Sequence, residues 1–142
     1  MEKYFVCMAL SYKYGGKCIG GVELEKSPST NTYTIVKENG RPKWIRPVTR
    51  NTDHGQISND ISAQFHIMDI IKIEGAQACP DCAQSENFYF LGISKISSVN
   101  SDVKTVYMLC DSYHKLIFGN KGRAVAPESY ENLEYSLMLV KP

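Results

Sequence analysis

The sequence has no long apolar run, no export signal and almost no net charge. No stretch approaches the length needed to cross a membrane as a helix, and the opening MEKYFVCMAL turns polar too soon for a signal peptide. Sixteen basic and fifteen acidic residues give a net charge of +1, too little to coat nucleic acid through bulk electrostatics. We therefore expect a cytoplasmic protein with no membrane partner, in which any binding of a polyanion is local.

Motifs of known catalytic machinery are also missing. The glycine-rich GGKCIGG at 15–21 lacks the lysine-serine or lysine-threonine end of a phosphate-binding loop. No nucleophile elbow occurs, and Asp53-His54 near Ser58 is explained better by solvated loop residues than by a proton relay. The sequence therefore favours binding over catalysis, and we expect the chain not to be an enzyme.

Five cysteines, an odd number, in a chain without an export signal argue against a disulfide framework. Cys7 and Cys18 lie in apolar, strand-like runs and are expected to be small buried hydrophobes.

The remaining cysteines predict a metal site. Cys79 and Cys82 form a CxxC, and Cys110 with His114 forms a CxxxH further along. These are four soft ligands of the types that zinc accepts in a closed tetrahedral site, so the zinc would be structural. A redox-active CxxC and a pair of unlinked surface cysteines are the alternatives.

The most unusual stretch is RPKWIRPVTR at 41–50. It holds the only tryptophan, Trp44, together with four basic residues, two prolines and no acid. The rest of the chain keeps twelve basic and fifteen acidic residues. A basic patch on a mildly acidic body would follow, although short basic clusters near turns are often simply solvated.

Strand-like segments dominate the pattern of apolar residues. Strands are predicted over 3–11, 17–25, 32–38, 41–48, 65–74, 87–99 and 134–140. Asn39-Gly40 predicts a type I′ hairpin turn, and Gly20-Gly21 predicts a bulge or bend. Pro42 and Pro47 predict a sheet edge or an irregular extended path for the arm that carries them. A short helical turn is expected near 61–64. The segment VKTVYMLCDSYHKLIF favours a helix over 102–114, with two short strands as the alternative.

Together these segments predict a mainly β fold with minor α structure. The glycine bends favour an OB-like small β-barrel with one short helix over a sandwich. The whole chain, 1–142, is expected to form a single barrel-like domain, or one OB barrel plus the start of a second.

The segments YGGKCIGGVE, KWIRPV, MDIIKIE, QSEN, GNKGRAV and SLMLV occur in an order that resembles the dual OB-containing domain family of bacterial and mobile-element proteins. The resemblance covers most of the chain and implies an oligonucleotide-binding barrel that takes nucleic acid or nucleotides. It places motif positions at Lys17, Trp44, Arg46, Glu86, Asn87 and Arg123. Members of the family are usually longer, and the CPDC segment departs from its pattern.

A ligand surface is predicted around Trp44. On a regular strand Trp44 and Arg46 project to the same face, and an indole beside a guanidinium suits a nucleobase and its phosphate. A core position for the tryptophan is the alternative, because a lone tryptophan in a small β domain is usually buried. The predicted ligand-binding residues are Tyr14, Lys17, Arg41, Lys43, Trp44, Arg46, Arg50 and Arg123.

The predicted function is therefore a non-catalytic binding module for single-stranded nucleic acid or a nucleotide. Tyr12 could extend the surface from the first hairpin. The alternative is a protein-protein interaction module, an accessory subunit of a bacterial or phage system, that presents RPKWIRPV to a partner as a sheet edge.

Overall fold

The computed structural model describes residues 1–52, 55–79, 86–99, 102–110 and 139. Strands make up most of this part of the chain, as the sequence predicted. They are β1 (Glu2–Lys13), β2 (Gly16–Lys26), β3 (Tyr33–Ile35), β4 (Lys37–Glu38), β5 (Arg41–Pro42), β6 (Trp44–Val48), β7 (Ile57–Ser58), β8 (Asp69–Glu74), β9 (Gln77–Ala78), β10 (Asn87–Tyr89) and β11 (Gly92–Ser98), with helices α1 (Asn59–Ser62) and α2 (Val103–Met108).

Nine of the strands form one sheet. Its path runs β11-β8-β1-β2-β6-β10-β9, and β3 and β7 pair with β2 beside this path. β4 and β5 form a separate two-stranded ladder. The mainly β prediction is confirmed, while the hydrogen-bonded path over these strands has two ends, β11 and β9, and is not a closed ring. In the described part of the chain, neither helix has the length and apolar character that a membrane crossing requires.

The hairpin of β1 and β2 is the longest element. Tyr14 and Gly15 both have positive φ, 44° and 79°, as a two-residue type I′ turn requires. The predicted irregularity at Gly20-Gly21 is confirmed, since the register shifts between Cys7 and Ala9 on the opposite strand. A bulge of this kind bends and twists the strand that contains it.

Two hydrophobic clusters lie on opposite faces of this sheet, because successive side chains of a strand alternate between faces. The first cluster comprises Phe5, Cys7, Ile19, Ile45, Ile57, Phe65, Ile71, Ile73 and Ala76. The second comprises Val6, Val22, Leu24, Trp44, Met68, Ile70 and Leu109. Neighbouring residues such as Trp44 and Ile45 therefore stabilise different cores.

The Asn39-Gly40 hairpin is confirmed. The two residues have φ of 53° and 77°, and they join β4 to β5 with Lys37 opposite Pro42.

The predicted edge position of the following strand is wrong. β6 lies inside the sheet, antiparallel to β2 on one side and parallel to β10 on the other. The Arg46 N–H donates to the Glu86 carbonyl beside β10 at 2.8 Å, so the nitrogen of Pro47 points the opposite way, toward β2. The β2–β6 register ends at Gly21 opposite Ile45, and the absent N–H of Pro47 therefore costs no ladder bond.

The predicted helix over 102–114 is confirmed for Val103–Met108. The Asp102 carboxylate accepts a hydrogen bond from the Thr105 N–H at 2.8 Å and caps its first turn. The helical turn expected near 61–64 is α1, which begins two residues earlier. The strand expected over 134–140 falls outside the described residues, apart from Leu139.

Asp69 joins the segment before β8 to β11. Its side chain is only 3% exposed and receives Lys95 Nζ at 3.2 Å. The His66 N–H and the Ser98 hydroxyl each donate to it at 2.8 Å. Burial raises the pKa of Asp69, but these bonds outweigh it, and the pKa lies below its ordinary value.

Gly21 is the position at which a side chain is excluded most directly. A Cβ there would lie 1.9 Å from the Val6 carbonyl oxygen, so we expect Gly21→Ala to lower the free energy of unfolding by about 3 kcal/mol or more. Gly40→Ala is the matched control, because a Cβ at Gly40 meets nothing within 4 Å and only the positive φ costs about 1 kcal/mol. Chemical denaturation of both variants measures the difference, and equal losses would contradict the close approach.

Asp69 predicts a loss of stability in acid. A carboxylate with a lowered pKa stabilises the fold above its unfolded pKa, and that contribution disappears as the pH falls through the folded pKa. Asp69→Asn should therefore cost about 1–3 kcal/mol at pH 7 and flatten the dependence of unfolding free energy on pH below about 4. Urea unfolding of both proteins across pH 3–7 measures this, and parallel profiles would show that another group is responsible.

Candidate functional site

The basic stretch at 41–50 does not form one patch, because the strands divide its charges. Arg41 belongs to β5, in the separate two-stranded ladder. Lys43 Nζ lies 3.4 Å from a carboxylate oxygen of Glu23. Arg46 lies in the middle of β6, and Arg50 follows its end, so the four charges lie in different structural settings.

Trp44 is a core residue. Its side chain is 4% exposed and belongs to the second hydrophobic cluster, so its ring is not available to stack on a base in this structure. Trp44 therefore occupies the core position that was the alternative prediction, and its predicted role as an exposed stacking platform is wrong. Its buried indole N–H has no hydrogen-bond acceptor among the described residues, and a buried donor without an acceptor costs free energy.

Arg46 is brought beside two residues that are distant in sequence. Asn87 is its partner in the parallel β6–β10 ladder, and the Arg46 N–H donates to the Glu86 carbonyl at 2.8 Å. Glu86 and Asn87 are buried, and a guanidinium nitrogen of Arg46 lies 4.0 Å from Cys18 Sγ. The KWIRPV and QSEN segments therefore meet in one place.

Arg50 stacks on an aromatic ring. Its guanidinium carbon lies 4.0 Å from the centroid of Tyr89, and Tyr89 pairs with Val48 at the end of β6. Arg50 is exposed and Tyr89 half-buried, so one side of the stack faces solvent. Tyr89 was not among the residues predicted from the sequence, where its only signal was the aromatic run at 88–90.

The tip of the first hairpin carries further aromatic and basic groups. Tyr12 and Tyr14 are 85% and 75% exposed, and Lys17 Nζ lies 5.3 Å from the centroid of the Tyr12 ring. Residues in such cation–π pairs keep both an aromatic face and a positive charge at the surface.

The hairpin tip and the end of β6 lie at the same end of the sheet. β7 pairs with the start of β2, Gly16 opposite Ser58, and the Gln56 amide donates to the Tyr14 carbonyl at 3.3 Å. The Thr49 N–H, directly after β6, donates to the Gly55 carbonyl at 3.2 Å. By strand alternation Tyr12 and Lys17 lie on the sheet face of Ile19 and the first cluster, whereas Arg46 and Tyr89 lie on the face of Trp44 and the second cluster. We call the rim at this end of the sheet, which spans both faces, the arginine–tyrosine surface: Tyr12, Tyr14, Lys17, Arg46, Arg50 and Tyr89.

The cysteines separate into two chemical kinds. Cys79 is disulfide-bonded, whereas Cys7, Cys18 and Cys110 are thiols outside any disulfide. Burial raises the pKa of the Cys7 thiol to about 12, so it is unreactive at neutral pH. Cys7 is buried as predicted, and Cys18 is only partly buried.

The predicted zinc ligands are not brought together within the described residues, where no group of three metal-binding side chains is found. Cys82 and His114 lie outside those residues, as does Arg123 of the ligand-binding set. A zinc ligand must be a thiolate, so Cys79 could serve only after reduction of its disulfide. The zinc site stays a prediction.

Comparison with known proteins gives one match. The sequence model described as "Dual OB-containing domain" matches residues 3–142. No curated protein and no solved structure matches the chain significantly.

Burial of Trp44 predicts a stability effect that distinguishes two substitutions. Trp44→Ala should lower the free energy of unfolding by about 3–5 kcal/mol, since it leaves a large cavity. Trp44→Phe should cost less than about 2 kcal/mol, because it keeps most of the ring and removes the unpaired N–H. Denaturant unfolding followed by circular dichroism measures both, and a near-neutral Trp44→Ala would show that the ring is not in the core.

Proposed function

Because the chain belongs to the dual OB-containing domain family, we propose that it is a binding module whose ligand is single-stranded nucleic acid or a nucleotide, and that it does not transform this ligand. The proposed ligand site is the arginine–tyrosine surface. The observation that carries the proposal is the Arg50 guanidinium stacked on Tyr89 at 4.0 Å, at the end of the strand that also positions Arg46.

Stacked aromatic and guanidinium groups match the chemistry of a nucleic acid. A nucleobase stacked on an aromatic side chain gains roughly 1–3 kcal/mol whatever its sequence. Tyr89, Tyr12 and Tyr14 supply such rings, and Arg46, Arg50 and Lys17 supply donors to phosphate oxygens. Single-stranded nucleic acid alternates bases with phosphates, so a surface that offers both aromatic rings and cationic donors can contact both components.

The buried part of the motif has a supporting role in this proposal. Trp44 and Ile45 anchor β6 in the two cores, and the parallel pairing with β10 fixes Asn87 opposite Arg46. Arg46 and Arg50 are thereby held on a rigid strand and its first following residues. Side chains that a rigid strand already holds in place lose less conformational entropy when a ligand binds.

Ligand binding is tested with a fluorescein-labelled oligo(dT) and, separately, with a mononucleotide, by anisotropy and by calorimetry. We expect Arg50→Ala and Tyr89→Ala each to weaken oligo(dT) binding about 5- to 150-fold, the range that loss of roughly 1–3 kcal/mol produces. The affinity should fall as salt rises, with a slope of about −0.7 per phosphate neutralised.

Lys37→Ala is the charge-matched control, because Lys37 is exposed on β4, outside the arginine–tyrosine surface. It should leave the affinity within about twofold, as a distant surface charge contributes little at physiological salt. If neither oligo(dT) nor the mononucleotide binds at low salt, the proposal is overturned. Equal losses of affinity in Lys37→Ala and Arg50→Ala would also overturn it.

A further inference from the structure

A cluster of charged side chains lies on the first-cluster face of the sheet, at the end opposite the arginine–tyrosine surface. Lys3 of β1 and Glu23 of β2 are register partners of first-cluster residues on the neighbouring strands, and directly opposite residues of a ladder point to the same face. Lys43 comes two residues before Ile45 of that cluster. Strand alternation therefore places all three charged side chains on one face.

Glu23 joins the two lysines. Lys3 Nζ donates to one of its carboxylate oxygens, and Lys43 Nζ lies 3.4 Å from the other. The same two ammonium groups face the Phe88 ring, at 4.9 and 5.9 Å from its centroid. Contacts with one carboxylate and one ring keep the two nitrogens close together. We call these four residues, Lys3, Glu23, Lys43 and Phe88, the lysine-pair cluster.

The buried part of the cluster has one negative charge for two positive charges. The Glu23 side chain is 7% exposed and supplies a single carboxylate. Its oxygen nearest Lys43 is closed to solvent and forms no hydrogen bond with the described residues, since 3.4 Å is longer than the roughly 2.7–2.9 Å of a charge-assisted hydrogen bond. Lys43 therefore keeps ammonium protons for another anion.

Glu38 shows that an anion can approach Lys43 from solvent. Its Oε2 lies 3.7 Å from Lys43 Nζ, and its side chain is 62% exposed. An exposed ion pair of this kind contributes little to stability, so the Glu38 carboxylate is near the ammonium group without being held there. An external anion can take its place at small cost.

A groove of about 480 Å³ opens at this end of the sheet, and Lys3, Glu23 and Lys43 are among the residues that line it. Its volume is within the range of small-molecule sites. Glu25 also lines it, but this acid is exposed and forms no ion pair within the described part of the chain. The lysine-pair cluster therefore has space beside it for a small ligand.

The charged groups of the opposite face are separate from the cluster. Glu2 Oε1 lies 3.1 Å from Lys72 Nζ, which also lies 2.8 Å from a Glu74 oxygen. Lys26 Nζ lies 5.6 Å from the Tyr4 ring centroid. Strand alternation places these residues on the face of the second cluster. They contact one another and make no contact with Lys3 or Lys43 among those described.

We propose that the lysine-pair cluster is a second binding site, for a small oxyanion that has a phosphate or carboxylate group. Lys43 donates to the anion, and Lys3 supplies the second positive charge. Glu23 holds both ammonium groups in place, and the Phe88 ring forms one wall. Glu38 is the internal competitor that the anion displaces. The site is distinct from the arginine–tyrosine surface and does not depend on the proposed function.

Inorganic phosphate and acetate are the probes, each titrated separately into the full chain at an ionic strength held constant with sodium chloride. Two-dimensional NMR should show saturable shifts at the backbone amides of 3, 23, 38 and 43. Stronger binding of phosphate identifies the phosphate group as preferred, and stronger binding of acetate the carboxylate group. The anion that binds more tightly is then used for the variants.

Two substitutions should change the affinity in opposite directions. Lys43→Gln should weaken binding about tenfold, the effect of one charged hydrogen bond, while Glu23 keeps its bond from Lys3. Glu38→Gln should strengthen binding about 1.5- to 5-fold, because it removes the competing carboxylate of an exposed pair. Asp60→Asn is the matched control, since it removes one exposed negative charge from α1 at the other end of the sheet, and it should leave the affinity unchanged.

Three results would overturn the oxyanion site. The first is a titration in which the shifts do not saturate with either anion. The second is an unchanged affinity in Lys43→Gln. The third is an equal effect of Glu38→Gln and Asp60→Asn, because the affinity would then follow the net charge of the chain and not a local competitor.

Arg50→Ala separates the two sites. It should leave the shifts at 3, 23, 38 and 43 unchanged, and Lys43→Gln should leave oligo(dT) binding unchanged. Loss of those shifts in Arg50→Ala would overturn the oxyanion site, because the anion would then lie on the arginine–tyrosine surface. Failure of oligo(dT) binding alone would contradict the proposed function and leave the oxyanion site in place.

Discussion

The close approach of β2 to β1 at Gly21 is the constraint on which the rest of the fold depends. With no Cβ at this position, the β2 backbone can lie against the Val6 carbonyl, opposite the bulge that follows Cys7. The bulge changes the register so that both strands continue for ten or more residues. β8, β6, β3 and β7 all pair with one of these two strands, so the hairpin sets the position of every surface described above.

Strand alternation and pairing explain why a compact basic sequence does not give a compact basic surface. Neighbours on a strand point to opposite faces, and the chain enters β6 from one end of the sheet and leaves it at the other. Lys43 therefore lies beside the buried Glu23, whereas Arg50 stacks on Tyr89. The local excess of four charges is thus divided between an internal ion pair and an exposed stack.

Local signals in the sequence were sufficient for the strands and turns. The Asn39-Gly40 turn acts through its own backbone and was predicted from those two residues. The Gly20-Gly21 pair likewise marked the irregularity of the first hairpin, although the close contact of Gly21 with Val6 was not predicted. The position of β6 inside the sheet was not predictable. A proline is excluded from an inner strand only where its missing N–H would have formed a ladder hydrogen bond. Whether Pro47 occupies such a position depends on where the pairing of β2 with β6 ends, and only the tertiary structure shows this.

Contacts between residues that are distant in sequence were also not predictable from the sequence. The sequence around Arg46 does not indicate that Asn87 is its partner in the ladder. The sequence around Arg50 likewise does not indicate that it stacks on Tyr89. The resemblance to a family indicated that such positions matter together, but the parallel β6–β10 ladder is what joins them. The acids that neutralise Lys3 and pair with Lys72 were likewise not assigned from sequence, since ion pairs across strands follow from register.

The burial of Trp44 has a consequence for spectroscopy. The chain's single indole is the dominant near-ultraviolet fluorophore, and it lies in the second core and not on either proposed binding surface. Its emission therefore reports whether the protein is folded, and an unchanged signal during a titration says little about occupancy. Ligand occupancy is better followed through tyrosine fluorescence, since three of the nine tyrosines lie on the arginine–tyrosine surface.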